Sequence, residues 1–172
     1  FAHARATTPL GLAFWGAALL GAVAAALAKL VPARLARIER KALLPEKVGL
    51  ALEAVDARLY RDLSGRSDLL KGLYERVLRP FSTSPVVLAS ICVRGPTQRA
   101  MRERLGARIR ALVGEDERLA GLDGLLAVTV ERQALRAQRV LERVLRGASF
   151  AHVVVAAGLA VLVALHVWEQ LR

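Results

Sequence analysis

The sequence contains few of the residues on which most metal sites and active sites depend. It has one cysteine, Cys92, and three histidines among 172 residues. A single cysteine excludes a disulfide within the chain and any metal cluster that needs several cysteine ligands from it. The sequence also lacks a phosphate-binding Gly-x-x-x-x-Gly-Lys loop, a Gly-rich dinucleotide turn and a His-Glu-x-x-His motif. It therefore carries no complete catalytic set of these familiar kinds.

Aromatic residues and strand patterns are also scarce. Aromatic residues make up 5% of the chain, and its two tyrosines, Tyr60 and Tyr74, are too scattered to form a platform on which bases stack. The net charge is +11, but basic and acidic residues alternate along amphipathic helices rather than forming one basic stripe. No stretch alternates apolar and polar residues as a strand would. We therefore expect an all-α fold and no nucleic-acid partner.

What the sequence has in abundance is apolar residues, 55% of the chain, concentrated in two stretches. The second stretch contains no Asp, Glu, Lys or Arg from Phe150 to Trp168. A helix of about 20 apolar residues crosses a hydrocarbon core of about 30 Å. The first stretch runs from Pro9 to Val31, and its length and the basic residues around its end favour a retained span over a cleaved signal peptide.

These features predict an all-α membrane protein in which a hairpin of two transmembrane helices carries a helical extramembrane insert. The predicted boundaries are a polar leader at 1–8, transmembrane helix 1 at 9–31, a basic helical insert at 32–147 and transmembrane helix 2 at 148–170. Pro32 is expected to stop the first span.

Within the insert, the pattern predicts a helical hairpin, a basic helix and a final long helix that runs towards the second span. Pro80 is expected to end the hairpin, residues 80–85 are expected to be extended or turn-like, and the apolar run 85–93 fits either a buried helix or a re-entrant piece. Ser67, Thr97 and Asp123 are the expected N-caps of three of the helices.

The distribution of basic residues predicts the orientation. All but three of the 26 Lys and Arg residues lie between Pro32 and Gly147, the exceptions being Arg5, Lys29 and Arg172. Because basic loops stay on the cytoplasmic side, we expect the insert on the cytoplasmic or matrix side and both termini on the opposite side. The membrane would be a bacterial inner membrane or an organellar inner membrane.

Two histidines in the second apolar stretch are the sharpest functional signal. His152 and His166 lie fourteen positions apart, which on a helix brings them within about 40° of one face and about 21 Å apart along the axis. Ionisable residues within a membrane span are rare and usually functional. This His-x13-His spacing on one helix resembles the di-haem b helix of the cytochrome b subunit of quinol oxidoreductases and of ferric reductases.

The resemblance implies two haem b groups with His152 and His166 as axial iron ligands, and Gly158 between them making room for a porphyrin edge. The resemblance covers one helix. Two bis-imidazole haems need four histidines, and the third histidine, His3, lies in the leader. The remaining ligands would come from a homodimer or from other membrane subunits, and the insert would then dock a redox partner or a sister subunit. The implied function is a b-type cytochrome subunit that carries electrons across the bilayer.

Three other interpretations stay open. Both histidines can be interfacial residues at the two ends of one span, with no cofactor. The chain would then be a cofactor-free accessory or scaffold subunit of a larger membrane complex. The third interpretation is a protein that binds lipid or shapes membranes through its basic helices. The helix Gln98 to Arg110 could lie on anionic lipid, touch an acidic partner or simply be solvated.

Overall fold

The computed structural model describes residues 9–38, 45–113 and 121–171, and these residues are helical apart from short turns, with no strand among them. The elements, in chain order, are α1 (Pro9–Ile38), α2 (Pro45–Ser64), α3 (Asp68–Leu73), a π-helical segment (Tyr74–Leu78), α4 (Arg79–Thr83), α5 (Pro85–Arg94), α6 (Gln98–Val113) and α7 (Leu122–Leu171). The all-α prediction is confirmed for these residues. Two of the helices, α1 and α7, are long and apolar enough to cross a membrane.

The chain divides into two compact units. The first, here called the apolar unit, comprises residues 1–32 and 143–172, and the second, the insert unit, comprises residues 33–142. Both α1 and α7 contribute to each unit, because each helix continues through the boundary without a break. The prediction that the last insert helix runs straight into the second apolar stretch is confirmed.

In the apolar unit, α1 approaches α7 through a small residue. A Cβ atom placed on Gly21 would lie 3.4 Å from Val155 Cγ1, whereas a Cβ atom on Gly16 would meet nothing within 4 Å. The less exposed positions of α7 recur every three or four residues, at Ala148, Ala151 and Val155. This spacing is that of one helix face packing against a neighbour, and most other side chains of the apolar unit are exposed.

In the insert unit, the first third of α7 forms the centre of the core. Its apolar residues Leu125, Leu126, Val128, Val130, Leu135 and Leu141 are buried, together with Val48, Val55 and Leu59 of α2 and Met101, Leu105 and Ile109 of α6. Leu50 of α2 and Val144 of α7 are exposed instead. The buried residues of α7 lie on more than one face, so that polar residues of this helix are buried as well.

Two prolines were wrongly predicted to end helices. Pro32 lies inside α1, which continues to Ile38, because one proline removes a single backbone hydrogen bond without forcing the chain out of the helix. Pro80 lies in the first turn of α4, directly after the π-helical segment. Leu78 and Arg79, which precede this proline, have right-handed helical backbone angles, so the helical run continues through Pro80. Residues 79–83 are therefore helical rather than extended.

Of the three predicted caps, one is confirmed. The Thr97 hydroxyl accepts a hydrogen bond from the Ala100 backbone N–H at 3.2 Å at the start of α6. Ser67 occupies the N-cap position of α3, but its side chain makes no capping bond. Asp123 lies inside the first turn of α7, after Gly121, which has φ +94°. The apolar run 85–93, which the sequence left open, lies in α5.

The close approach at Gly21 generates a stability prediction. Gly21→Leu is expected to destabilise the folded chain by about 1–3 kcal/mol, since the added side chain must displace Val155. Thermal unfolding in mild detergent would measure the change. The matched control, Gly16→Leu, adds the same atoms to open space and should change stability by about 0.5 kcal/mol or less. Equal effects of the two variants would show that α1 and α7 do not pack at Gly21.

Candidate functional site

The histidine positions predicted as a site lie on one uninterrupted helix. His152 and His166 both belong to α7, so the helical spacing assumed from the sequence applies to its backbone. The His152 side chain is exposed, and no hydrogen bond or ion pair involves it. The side chain of His166 lies outside the described residues. Gly158, between them, is exposed, and a Cβ atom there would meet nothing within 4 Å.

A haem held by two imidazoles needs a second nitrogen ligand close to each histidine. Among the described residues, no group of three or more His, Cys, Asp or Glu side chains lies close enough together to hold a metal ion. His152 is the one histidine whose side chain the structure describes, so this part of the chain supplies one imidazole near that depth of α7. Its exposure leaves the imidazole accessible to a group outside the chain. A bis-imidazole site at His152 would therefore require a ligand from outside the described residues.

A buried polar network in the insert unit was not predicted from the sequence. Its centre is Arg132 of α7, whose Nε donates to Asp56 Oδ1 of α2 at 2.6 Å and whose Nη1 donates to the Ser82 hydroxyl of α4 at 3.3 Å. Arg136, one turn further along α7, donates to the Ser82 backbone carbonyl. Ser82 is fully buried. These charge-assisted bonds connect three helices across the core.

The same network binds the α4 backbone to α7. The Gln133 amide donates to the Phe81 carbonyl at 3.3 Å and its oxygen accepts from Arg136 Nη1 at 3.4 Å. Burial raises the pKa of the nearby Tyr74, an effect that the positive charge of Arg132 partly offsets. Because its buried groups are paired with one another, the network is best explained as a structural connection that holds α2, α4 and α7 together rather than as a reaction centre. The sequence contains one signal of this network: the polar residues Arg132, Gln133 and Arg136 interrupt the apolar pattern of α7 at helical spacing.

Cys92 lies on α5 and is partly buried. Its thiol is 3.9 Å from the Ala137 carbonyl oxygen, and burial raises its pKa. A raised pKa disfavours the thiolate, which is the reactive form. Cys92 is therefore best explained as a small, partly buried packing residue of the insert unit.

Neither a protein-family model nor a curated protein nor a solved structure matches this chain. The described residues therefore define the class of protein on physical grounds alone: an all-helical chain with two helices long and apolar enough to cross a membrane. Most of the side chains in these two apolar stretches are exposed, which distinguishes them from the buried core helices of water-soluble proteins.

The polar network predicts a measurable coupling between α2 and α7. In a double-mutant cycle, Arg132→Gln and Asp56→Asn should show an interaction free energy of about 1–2 kcal/mol, because the pair is partly shielded from solvent and doubly hydrogen-bonded. The control cycle is Arg99→Gln with Glu103→Gln, an exposed pair on α6, where about 0.5 kcal/mol or less is expected. Equal couplings in chemical unfolding would contradict the structural role of the network.

Proposed function

We propose that the chain is an integral membrane subunit in which residues 9–31 and 148–170 form a two-span anchor and the insert unit acts as a cofactor-free scaffold for partner subunits. The observation that carries this proposal is α7 itself. One helix begins in a packed core with charged cross-links and ends in a stretch where apolar side chains such as Val154 and Leu165 are exposed. Exposed apolar surface of this extent is stable in lipid and costly in water.

The hairpin arrangement is supported by the chain path. Residues 32 and 143 both join the insert unit, and Gly21 of α1 lies close to Val155 of α7. Two helices that leave the same unit and pack together run antiparallel, so both of their free ends reach the same side of the membrane. The concentration of Lys and Arg between Pro32 and Gly147 favours the cytoplasmic or matrix side for the insert.

Cysteine labelling tests this topology. In a Cys92→Ser background, Ser64→Cys places a thiol on the exposed end of α2, and Leu171→Cys places one on the exposed end of α7. A membrane-impermeant maleimide added to intact cells should label the Leu171→Cys chain and should label the Ser64→Cys chain only after permeabilisation. Both chains should stay in the membrane pellet at alkaline pH. Labelling of both thiols from the same side would rule out the two-span arrangement.

The cytochrome function implied by the histidine spacing is the second candidate. The observation that favours it is the exposed imidazole of His152 on an apolar helix that also carries His166. A neutral imidazole is a good axial ligand for iron, and bound haem b would supply one-electron transfer. In a two-fold dimer, His152 of each copy would face its counterpart, and His166 likewise, so that four imidazoles would form two ligand pairs at different depths.

An absorption spectrum of the purified full chain, expressed with an adequate haem supply, separates the two candidates. Under the cytochrome proposal, the reduced protein shows sharp b-type visible bands that are lost at one site in His152→Ala and at the other in His166→Ala. His3→Ala is the matched control and should leave the spectrum unchanged, because that histidine precedes the first apolar stretch. A colourless, folded, membrane-integrated protein would refute haem binding and leave the scaffold proposal intact.

A further inference from the structure

We propose that a groove between α5 and α6 binds an anionic phospholipid of the bilayer in which the chain is anchored, and this inference rests on the membrane anchor proposed above. The groove encloses about 350 Å³, within the range of small-molecule pockets of roughly 300–1,000 Å³. Its walls are apolar, formed by Val87 and Ile91 of α5, Met101 and Leu105 of α6, and Phe81. Such walls suit hydrocarbon rather than a free, fully polar anion.

Three arginines line the same groove. Arg94 is the last residue of α5, and Arg104 and Arg108 lie one turn apart on α6. None of the three forms an ion pair with an acidic side chain of the described residues, whereas Arg58, Arg79 and Arg99 each do. Like charges four residues apart on a helix repel each other, so an anion between Arg104 and Arg108 would be stabilising. A phosphate group at the mouth of the groove would supply this charge.

Two exposed valines of α5 lie beside these charges. Val86 borders the groove and is 76% exposed, and Val93 is 69% exposed. They are seven positions apart, which returns them to nearly the same helix face. Exposed apolar side chains on one face, with arginines nearby, are typical of helices that lie at a lipid headgroup boundary. A free phosphate would neutralise the arginines without covering these valines, whereas a phospholipid supplies both the negative charge and the hydrocarbon.

The end of α5 is fixed to the residues that directly follow the first apolar stretch. Arg34 Nη1 donates to the Arg94 carbonyl oxygen at 3.1 Å, and a Cβ atom on Gly95 would lie only 3.0 Å from Arg34 Cδ. Gly95 also has φ +59°, a left-handed conformation that favours glycine, so the close contact and the turn both depend on this residue.

Arg34 lies three residues after Val31 on the continuous helix α1, a rise of about 4.5 Å. The Arg94 backbone is therefore hydrogen-bonded to a residue that closely follows the proposed first span in the chain.

The test is lipid retention by the intact chain. The protein is reconstituted in nanodiscs of phosphatidylcholine with a minor fraction of phosphatidylglycerol, released into mild detergent and weighed by native mass spectrometry. The unmodified chain should retain phosphatidylglycerol in preference to phosphatidylcholine. The triple variant Arg94→Gln, Arg104→Gln, Arg108→Gln should bind it about a hundredfold more weakly, since each basic residue near an anionic lipid contributes roughly fivefold in affinity.

Two matched controls make the result specific. Arg61→Gln, Arg76→Gln and Arg139→Gln together remove the same charge from exposed positions outside the groove and should leave retention unchanged. Val86→Ser with Val93→Ser should weaken retention, whereas Leu50→Ser with Leu69→Ser, also at exposed apolar positions, should not. Thermal unfolding would verify that each variant is folded.

The possible failures are distinguishable. A chain that does not integrate into nanodiscs would overturn the membrane anchor and this inference with it. An integrated chain that loses phosphatidylglycerol equally in both triple arginine variants would reduce the effect to net charge and overturn the groove. Displacement of phosphatidylglycerol by inorganic phosphate alone would show that the site binds a free anion, and this outcome would also contradict the proposal.

Discussion

The structure depends on one constraint: a single helix, α7, must be stable in two different surroundings. From Leu125 to Glu142 it is packed against other helices of the insert unit, and its buried polar groups are largely satisfied by partners such as Asp56, Ser82 and the Phe81 carbonyl. From Phe150 onwards most of its large apolar side chains are exposed, and no charged residue interrupts it before Glu169. A helix satisfies its own backbone hydrogen bonds everywhere along its length, which is why one element can serve both regions.

The polar cross-links explain how the region of α7 from Leu125 to Glu142 is held against α2 and α4. A fully apolar contact would specify the position of α7 along the shorter helices less strictly. Arg132 and Arg136, in contrast, must meet specific acceptors on α2 and α4. The π-helical segment at Tyr74–Leu78 belongs to the same arrangement, because it directly precedes α4, whose Phe81 and Ser82 supply those acceptors. The connection between α7 and its neighbours thus comes from hydrogen-bonded polar groups that are partly shielded from water.

Much of this could be predicted from the sequence, for definite reasons. The two apolar stretches are long and uninterrupted, so their helical state follows from length and composition. The prolines were misjudged because their effect depends on position within a helical turn, which only the surrounding structure sets. The network around Arg132 could not be predicted, since its partners lie 50 and 76 positions away in the chain.

The candidate sites also differ in whether the sequence alone predicts them. The histidine pair was found because it depends on spacing along one helix, and its chemistry stays a prediction, since a second ligand must come from outside the described chain. The groove between α5 and α6 escaped prediction because Arg94, Arg104 and Arg108 converge only after α5 is fixed by Arg34. Its composition, apolar walls with arginines that form no ion pair among the described residues, is the basis on which we propose that it binds an anionic lipid.

The most direct test of the central claim is a spin-label scan along α7 in lipid nanodiscs, at exposed positions from Arg139 to Val163 in a chain without Cys92. Accessibility to oxygen and to a water-soluble nickel chelate would be compared at each label. The account predicts high nickel accessibility at Arg139 and Arg143, and high oxygen with low nickel accessibility from Val153 to Val163. Nickel accessibility that stays high at all exposed positions would contradict it, because the apolar half of α7 would then lie in water.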